Sequence, residues 1–340
     1  MNSLFWQVRS RTEIIFDQPS AWTLVCAIAL VVASAFAMAN GAVDLALQEL
    51  PASIVDVDHP FHAVIWDVRL PRIVCGAIVG MDLALAGALL QTTVRNPLAD
   101  PGILGVTAGA GVGALFVILF APGHSEWIPW AGFAGGMLAV GTLLSFAAAK
   151  RGQAGTLRVV LSGVALQSVL FAVIALMTFI FADRAPAFAA YIVGSLNGLG
   201  WSDAGRMLLP SLLGLAAIVG IVRTLNLLLL DDSAAGGLGV HVVRSRMVAA
   251  SAAALLTAAA VSAAGLIGFV GLVVPNAIRL LVGPQHGDLL PATALGGAAL
   301  VVVADLVART VLAPLELPVG ALLSLVGGPY FLYLLWRKLA

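Results

Sequence analysis

The stretch Ile73-Val-Cys-Gly-Ala-Ile-Val-Gly-Met-Asp-Leu-Ala-Leu-Ala-Gly-Ala-Leu-Leu90 decides the fold. It holds a single charge, Asp82, and Gly76 and Gly80 stand four apart, the spacing that lets a second helix backbone approach closely. A helix over these positions is about 27 Å long, close to the hydrocarbon thickness of a bilayer. Runs of the same kind extend from Ala21 to Met38 and from Leu290 to Val307. Of 340 residues, 61% are hydrophobic and 10% charged, and the mean hydropathy is +1.05. A soluble domain of that composition would have an apolar surface nearly everywhere, so lipid must be most of the solvent. Lipid offers no water to an open sheet edge, and continuous apolar runs do not alternate as barrel strands do. The chain therefore reads as an all-α polytopic membrane protein.

Working outward, apolar segments near 21–40, 72–91, 103–121, 128–149, 156–182, 204–226, 243–265, 270–282, 290–311 and 317–336 suggest about ten helices, so both ends of the chain fall on one side. That side collects Arg9, Arg11, Arg95, Lys150, Arg151, Arg158, Arg223, Arg244, Arg246, Arg279, Arg337 and Lys338. The other collects Arg69, Arg72, Arg184, Arg206 and Arg309. Excess Lys and Arg mark the cytoplasmic side, which puts both termini there. The polar segment 1–17 lacks a small-residue cleavage site, so the first apolar run reads as a retained helix. No linker divides the chain, and residues 1–340 read as one transmembrane domain.

Gly105, Gly109 and Gly113 continue the four-residue spacing and predict a second packing stripe. No β-α-β unit surrounds Gly109-Ala-Gly111-Val-Gly113, so a dinucleotide loop is disfavoured. Gly265, Gly268 and Gly271, followed by Pro275, predict a break between two short helices at membrane depth. Cys26 and Cys75 fall in apolar runs and read as packing thiols. The polar stretches 41–68 and 183–203, on the outside, and 231–246, on the inside, are candidate contact surfaces.

Five motifs go beyond packing. Arg69-Leu-Pro-Arg72 and Arg95-Asn-Pro-Leu-Ala-Asp-Pro-Gly-Ile-Leu-Gly105 bracket the opening stretch. Gly268-Phe-Val-Gly-Leu-Val-Val-Pro-Asn-Ala-Ile-Arg279 follows, then Glu316-Leu-Pro-Val-Gly320 and Gly327-Gly-Pro329. Together these resemble the FecCD family of ABC permeases, whose members import ferric siderophores, haem and cobalamin. The resemblance implies a type II ABC importer permease in the bacterial inner membrane. It also implies a second permease subunit, either a second copy in a homodimer or a close paralogue in a pseudodimer, with two cytoplasmic ATPase subunits and an external substrate-binding protein. The residues agree on one point independently. The two lysines, Lys150 and Lys338, stand in no G-x-x-x-x-G-K-[ST] loop, so ATP and magnesium are expected on the partner ATPase and no cofactor on this chain.

The resemblance also implies roles for particular residues. Asn96 and Leu98, in a loop held by Pro97 and Pro101, would form a cytoplasmic gate, with Thr156 and Leu157 as its second layer. Gly237, Leu238, Gly239, Val240 and His241 would form the turn that docks in the ATPase. Arg69, Arg72 and Arg309, near the outer membrane surface, would receive acids of the binding protein, since an arginine fork matches a carboxylate. Asp100, in the same loop, is expected either to cap the following helix or to belong with Asn96 and Leu98 to a loop that lines a passage. Gly194-Ser195-Leu196 leans toward iron chelates.

Other classes make different demands. A proton-coupled carrier needs a buried acid on its pathway, and Asp82 and Asp305 are the candidates. A membrane-embedded metalloenzyme needs clustered ligands. His59, His62, His124, His241 and His286 lie far apart or in loops without the H-E-x-x-H spacing, so no metal site is expected.

Overall fold

The computed structural model describes residues 19–41, 48–102, 104–148, 154–182 and 191–339, without the side chains of 144, 146–148, 154–160, 333–335 and 337–339. Among the described residues, ten helices are 13 residues or longer. They are α1 (Pro19–Ala39), α3 (Leu70–Val94), α4 (Val106–Phe120), α5 (Ile128–Ala148), α6 (Ala154–Ile180), α7 (Trp201–Leu227), α9 (Val242–Ala264), α10 (Val270–Val282), α11 (His286–Thr310) and α12 (Val319–Leu339). Two short helices, α2 (Leu50–Val55) and α8 (Asp232–Gly237), lie outside this set. Among the described residues, six helical segments carry a window long and apolar enough to cross a membrane.

The opening stretch forms the hub. In the segment Val64–Val94, 78% of the apolar window is buried, against 11% for α1, so α3 is wrapped by the other helices while α1 leaves most of its surface uncovered. Small residues make that wrapping possible. A Cβ on Gly80 would lie 2.6 Å from the carbonyl carbon of Gly297 in α11, and one on Gly87 would lie 2.5 Å from that of Gly271 in α10. The second stripe behaves alike, with Gly109 of α4 against Gly135 of α5. Backbones meet at these crossings because no side chain intervenes.

The break after α9 differs from the expected pair of short helices. Helix α9 runs a full 23 residues, and only α10, with 13, is short. Between them the chain turns through Gly265 (φ 72°) and Phe269 (φ 67°). Backbone exposed there at membrane depth needs partners. It finds them in the segment after residue 190: Leu266 N–H donates to the Tyr191 carbonyl (3.0 Å) and Ser195 N–H to that of Ala264 (2.9 Å). Pro275, inside α10, has no N–H for the Gly271 carbonyl one turn earlier, and Gln91 Nε2 donates to that oxygen instead (3.1 Å).

The outer stretch 41–68 is not a plain polar loop. It holds α2 and a π-helical turn, Val64–Arg69, that runs straight into α3. Trp66 Nε1 donates to the Ile54 carbonyl (2.9 Å), and Trp201 Nε1 donates to the Trp66 carbonyl (2.8 Å).

Candidate functional site

Helix α3 carries Arg69 and Arg72 at one end and Arg95 at the other, so it joins the two places where polar side chains gather. At the first, Arg72 lies across from Asp305 of α11. Its Nη2 donates to Asp305 Oδ1 (2.8 Å) and its Nε to Oδ2 (3.0 Å), while Nη1 reaches Glu316 Oε2 (3.0 Å). Arg309 stands four residues after Asp305, on the same face, with Nε 3.8 Å from Oδ2. Arg69 donates to the Met38 and Ala39 carbonyls, and Arg309 to that of Ala37. These carbonyls close α1 and have no helical N–H ahead of them, so the two guanidinium groups cap that helix end.

The three arginines, expected from the sequence near the outer membrane surface, form a buried clamp in this chain. Arg69, Arg72 and Arg309 are 4%, 7% and 8% exposed. Their donors are turned inward because α1, α3 and α11 converge there with two acids and three helix-end carbonyls. Asp305 is held by arginine. Asp82 is fully buried and accepts from Ser211 Oγ of α7 (2.5 Å). The two acids thus have different partners, Ser211 for Asp82 and Arg72 for Asp305.

At the other end of α3, Arg95 adopts a left-handed conformation (φ 54°, ψ 38°) and stops the helix. Asn96 is buried, and its Oδ1 accepts from Leu98 N–H (3.0 Å), closing a tight turn; Leu98 is half-buried. Asn276 Nδ2 of α10 donates to the Pro97 carbonyl (2.7 Å). Asp100 does not cap α4. Its Oδ1 accepts from Gly102 N–H (2.7 Å), and the helix starts after Gly105 without a side-chain cap. Thr156 and Leu157 lie in the backbone of α6, but their side chains fall outside the described residues.

The 231–246 loop lies at the same end. Helix α8 is exposed except for Ala235, which is buried. Gly239 (φ 83°) turns the chain back, and Leu238, 62% exposed, projects at the tip. Gly237 and His241 are exposed as well, and Val240 is half-buried.

Between these two ends lies a cavity of about 340 Å³. Asp100, Thr107, Gln167, Phe171, Phe269 and Ser324 line it, from the 100–102 loop, α4, α6, the break and α12. Among the described residues no group of three His, Cys, Asp or Glu could hold a metal ion.

Comparison with known proteins gives this arrangement its context. The FecCD transport family matches residues 28–337, nearly the whole chain. This chain belongs to the FecCD transport family. It is 43% identical over 274 residues to the cobalamin import system permease protein of Halobacterium salinarum, covering 81% of this chain and 73% of that one. It is 40% identical to the hemin transport system permease protein of Yersinia pestis, over 91% of this chain and 93% of the relative. Among solved structures, a metal-chelate type ABC transporter in an inward-facing conformation superposes with a TM-score of 0.79 at 30% identity, over 94% of this chain and all of that one.

In this FecCD chain, sequence alone indicated the exposed 231–246 turn and the proline-bounded loop at 95–101. It missed the internal partners of the outer arginines and the polar contacts between the 226–232 segment and α3. Asp305 with Arg309 at i, i+4 was a visible signal of the first. No local pattern announces the second.

Proposed function

We propose that this chain is the membrane-spanning permease subunit of an ABC importer that carries a ferric chelate, a siderophore or haem, across a bacterial inner membrane by alternating access. The observation that carries the reading is the match to FecCD permeases over residues 28–337, joined to an exposed α8 turn at the end of the molecule where Arg95 and Arg246 meet. Two ATPase subunits binding ATP and magnesium would dock on Gly237, Leu238, Gly239, Val240 and His241, and the chain itself would bind no cofactor.

A binding protein would dock at the other end. There Glu316, with its side chain 33% exposed, is the more open of the two acids on the arginine clamp. A docking acid reaching Arg72 would exchange with Glu316.

Cavity size supports a second permease copy. A volume near 340 Å³ is at the low end of small-ligand pockets, which run to about 1,000 Å³. A chelate the size of haem would need a passage between two copies. Helix α6 supports this, since Leu161, Val169 and Phe179 face outward beside Gln167 and Phe171 of the cavity wall. Asn96 and Leu98 would then act as the inner gate, with Thr156 and Leu157 as its second layer.

A second reading, cobalamin as cargo, is favoured by the 43% identity to a cobalamin permease. Uptake into vesicles holding this chain, its ATPase and its binding protein separates the two. Ferric siderophores, haem and cyanocobalamin are offered with and without ATP. ATP-dependent accumulation of an iron chelate supports the first reading, accumulation of cyanocobalamin alone selects the second, and uptake driven by a proton gradient without the ATPase refutes both.

A further inference from the structure

The inner end of α3 is fastened to the chain that leads into α8 at two levels. One turn before the helix stops, Thr92 Oγ1 is 2.8 Å from His286 Nε2, and His286 Nδ1 is 2.9 Å from Asn226 Oδ1. Asn226 Oδ1 also accepts from His286 N–H (2.8 Å). Three residues on, Arg95 reaches the same segment further along. Its Nε donates to the Leu228 carbonyl (3.3 Å), its Nη2 donates to that of Leu230, and Nη2 pairs with Asp232 Oδ1 (2.7 Å). Asp232 opens α8 and is shared with Arg246 of α9 (2.9 Å).

The Arg95–Asp232 pair is itself exposed, but Arg95 also meets backbone carbonyls there. The Leu228 and Leu230 carbonyls lie just past the end of α7, where carbonyls have no helical N–H and need outside donors. Arg95 supplies them from a left-handed backbone conformation that a non-glycine residue rarely adopts. The strained residue is also the one covalently joined to Asn96. On its far side the same loop meets a different element, where Asn276 Nδ2 of α10 donates to the Pro97 carbonyl.

We infer that Arg95 is a positioning residue that links α8 to the 96–98 loop, so that displacement of α8 drags that loop away from its hold on Asn276. The inference rests on the reading proposed above, in which α8 meets an ATPase and the loop gates the passage. Rigid elements joined at two heights move as one body, whereas a single flexible contact would let α8 swing alone.

The test follows the two positions separately. Spin labels are placed at Leu98→Cys or Gly236→Cys in a Cys26→Ser, Cys75→Ala chain assembled with its ATPase and binding protein in nanodiscs. Distances between the labels of the two permease copies are then measured with and without ATP plus vanadate. The unsubstituted link is expected to shift both distances. In Arg95→Gln the shift at Gly236 remains and the shift at Leu98 is lost, and Arg95→Lys, which keeps the charge but not the fork, restores only part of it. Asp232→Asn removes the ion pair from an exposed position and also weakens the Leu98 shift, which keeps the test intact if Arg95→Gln fails to assemble. An undiminished Leu98 shift in Arg95→Gln, or in Asp232→Asn where the former does not assemble, overturns the link while leaving the proposed function standing. No ATP-driven shift at either label in the unsubstituted complex refutes the proposed function and the link with it.

Discussion

Replacing Asp305 by alanine tests whether the outer clamp is a structural unit. Asp305 accepts three hydrogen bonds from Arg72, at 2.8, 3.0 and 3.1 Å, and the two side chains are 8% and 5% exposed. Removing it leaves the Arg72 and Arg309 guanidinium groups buried with Glu316 as the nearest remaining acid. Breaking one side of a buried pair costs about 3–5 kcal/mol, because the other charge stays desolvated and unpaired. That is roughly two to three and a half orders of magnitude in the folded-to-unfolded ratio. Glu316 makes the contrast: its side chain is 33% exposed and it meets a single nitrogen of Arg72. Glu316→Gln should cost about 1 kcal/mol or less after screening by solvent. Asp305→Asn should fall between them, since the amide oxygen still accepts from the fork. Unfolding in mixed micelles titrated with sodium dodecyl sulfate, followed by tryptophan fluorescence, reads all three. Equal costs for Asp305→Ala and Glu316→Gln, or a cost under about 1 kcal/mol for Asp305→Ala, would refute the assignment of the clamp's strength to burial.

Three further outcomes are expected. Gly80→Val should prevent stable folding in detergent, because its Cβ would meet the Gly297 carbonyl and the Ala298 backbone, whereas Gly205→Ala, with nothing within 4 Å, should be tolerated; size-exclusion profiles of the two proteins check this. Gln91→Leu should destabilise the chain by about 1–3 kcal/mol in the same micelle titration, since the Gly271 carbonyl freed by Pro275 loses its donor. Asn96→Ala should alter the rate of ATP-driven uptake, because the turn on Leu98 N–H is lost, without altering which of haem, ferric siderophore or cyanocobalamin is accepted. A change in that preference would show that Asn96 reads the cargo.

The 95–101 loop and the 231–246 turn were legible before the structure. Pro97 and Pro101 forbid helix through the 95–101 loop, and Gly236, Gly237 and Gly239 crowd the 231–246 turn, so both announce themselves locally. Helix α2 and the π-helical turn before α3 were not, because six residues carry too little hydropathic signal. The internal partners of the arginines were not legible for a related reason. Charge near a membrane surface suggests solvent, but exposure depends on what the neighbouring helices bring, and here α1 brings carbonyl oxygens.

What the sequence determined by itself was everything that lipid demands of each segment separately. Apolar length fixes a crossing, backbone saturation requires helix, and the four-residue spacing of Gly76 with Gly80 and of Gly109 with Gly113 marks faces that can be approached. What only the tertiary structure decided was partnership. Arg72 meets Asp305 across 233 residues of chain and Arg95 reaches Leu230 across 135. Such pairs depend on how far each helix is rotated and which neighbour it crosses. Those quantities are set by close packing of all the helices at once, and no single segment encodes them.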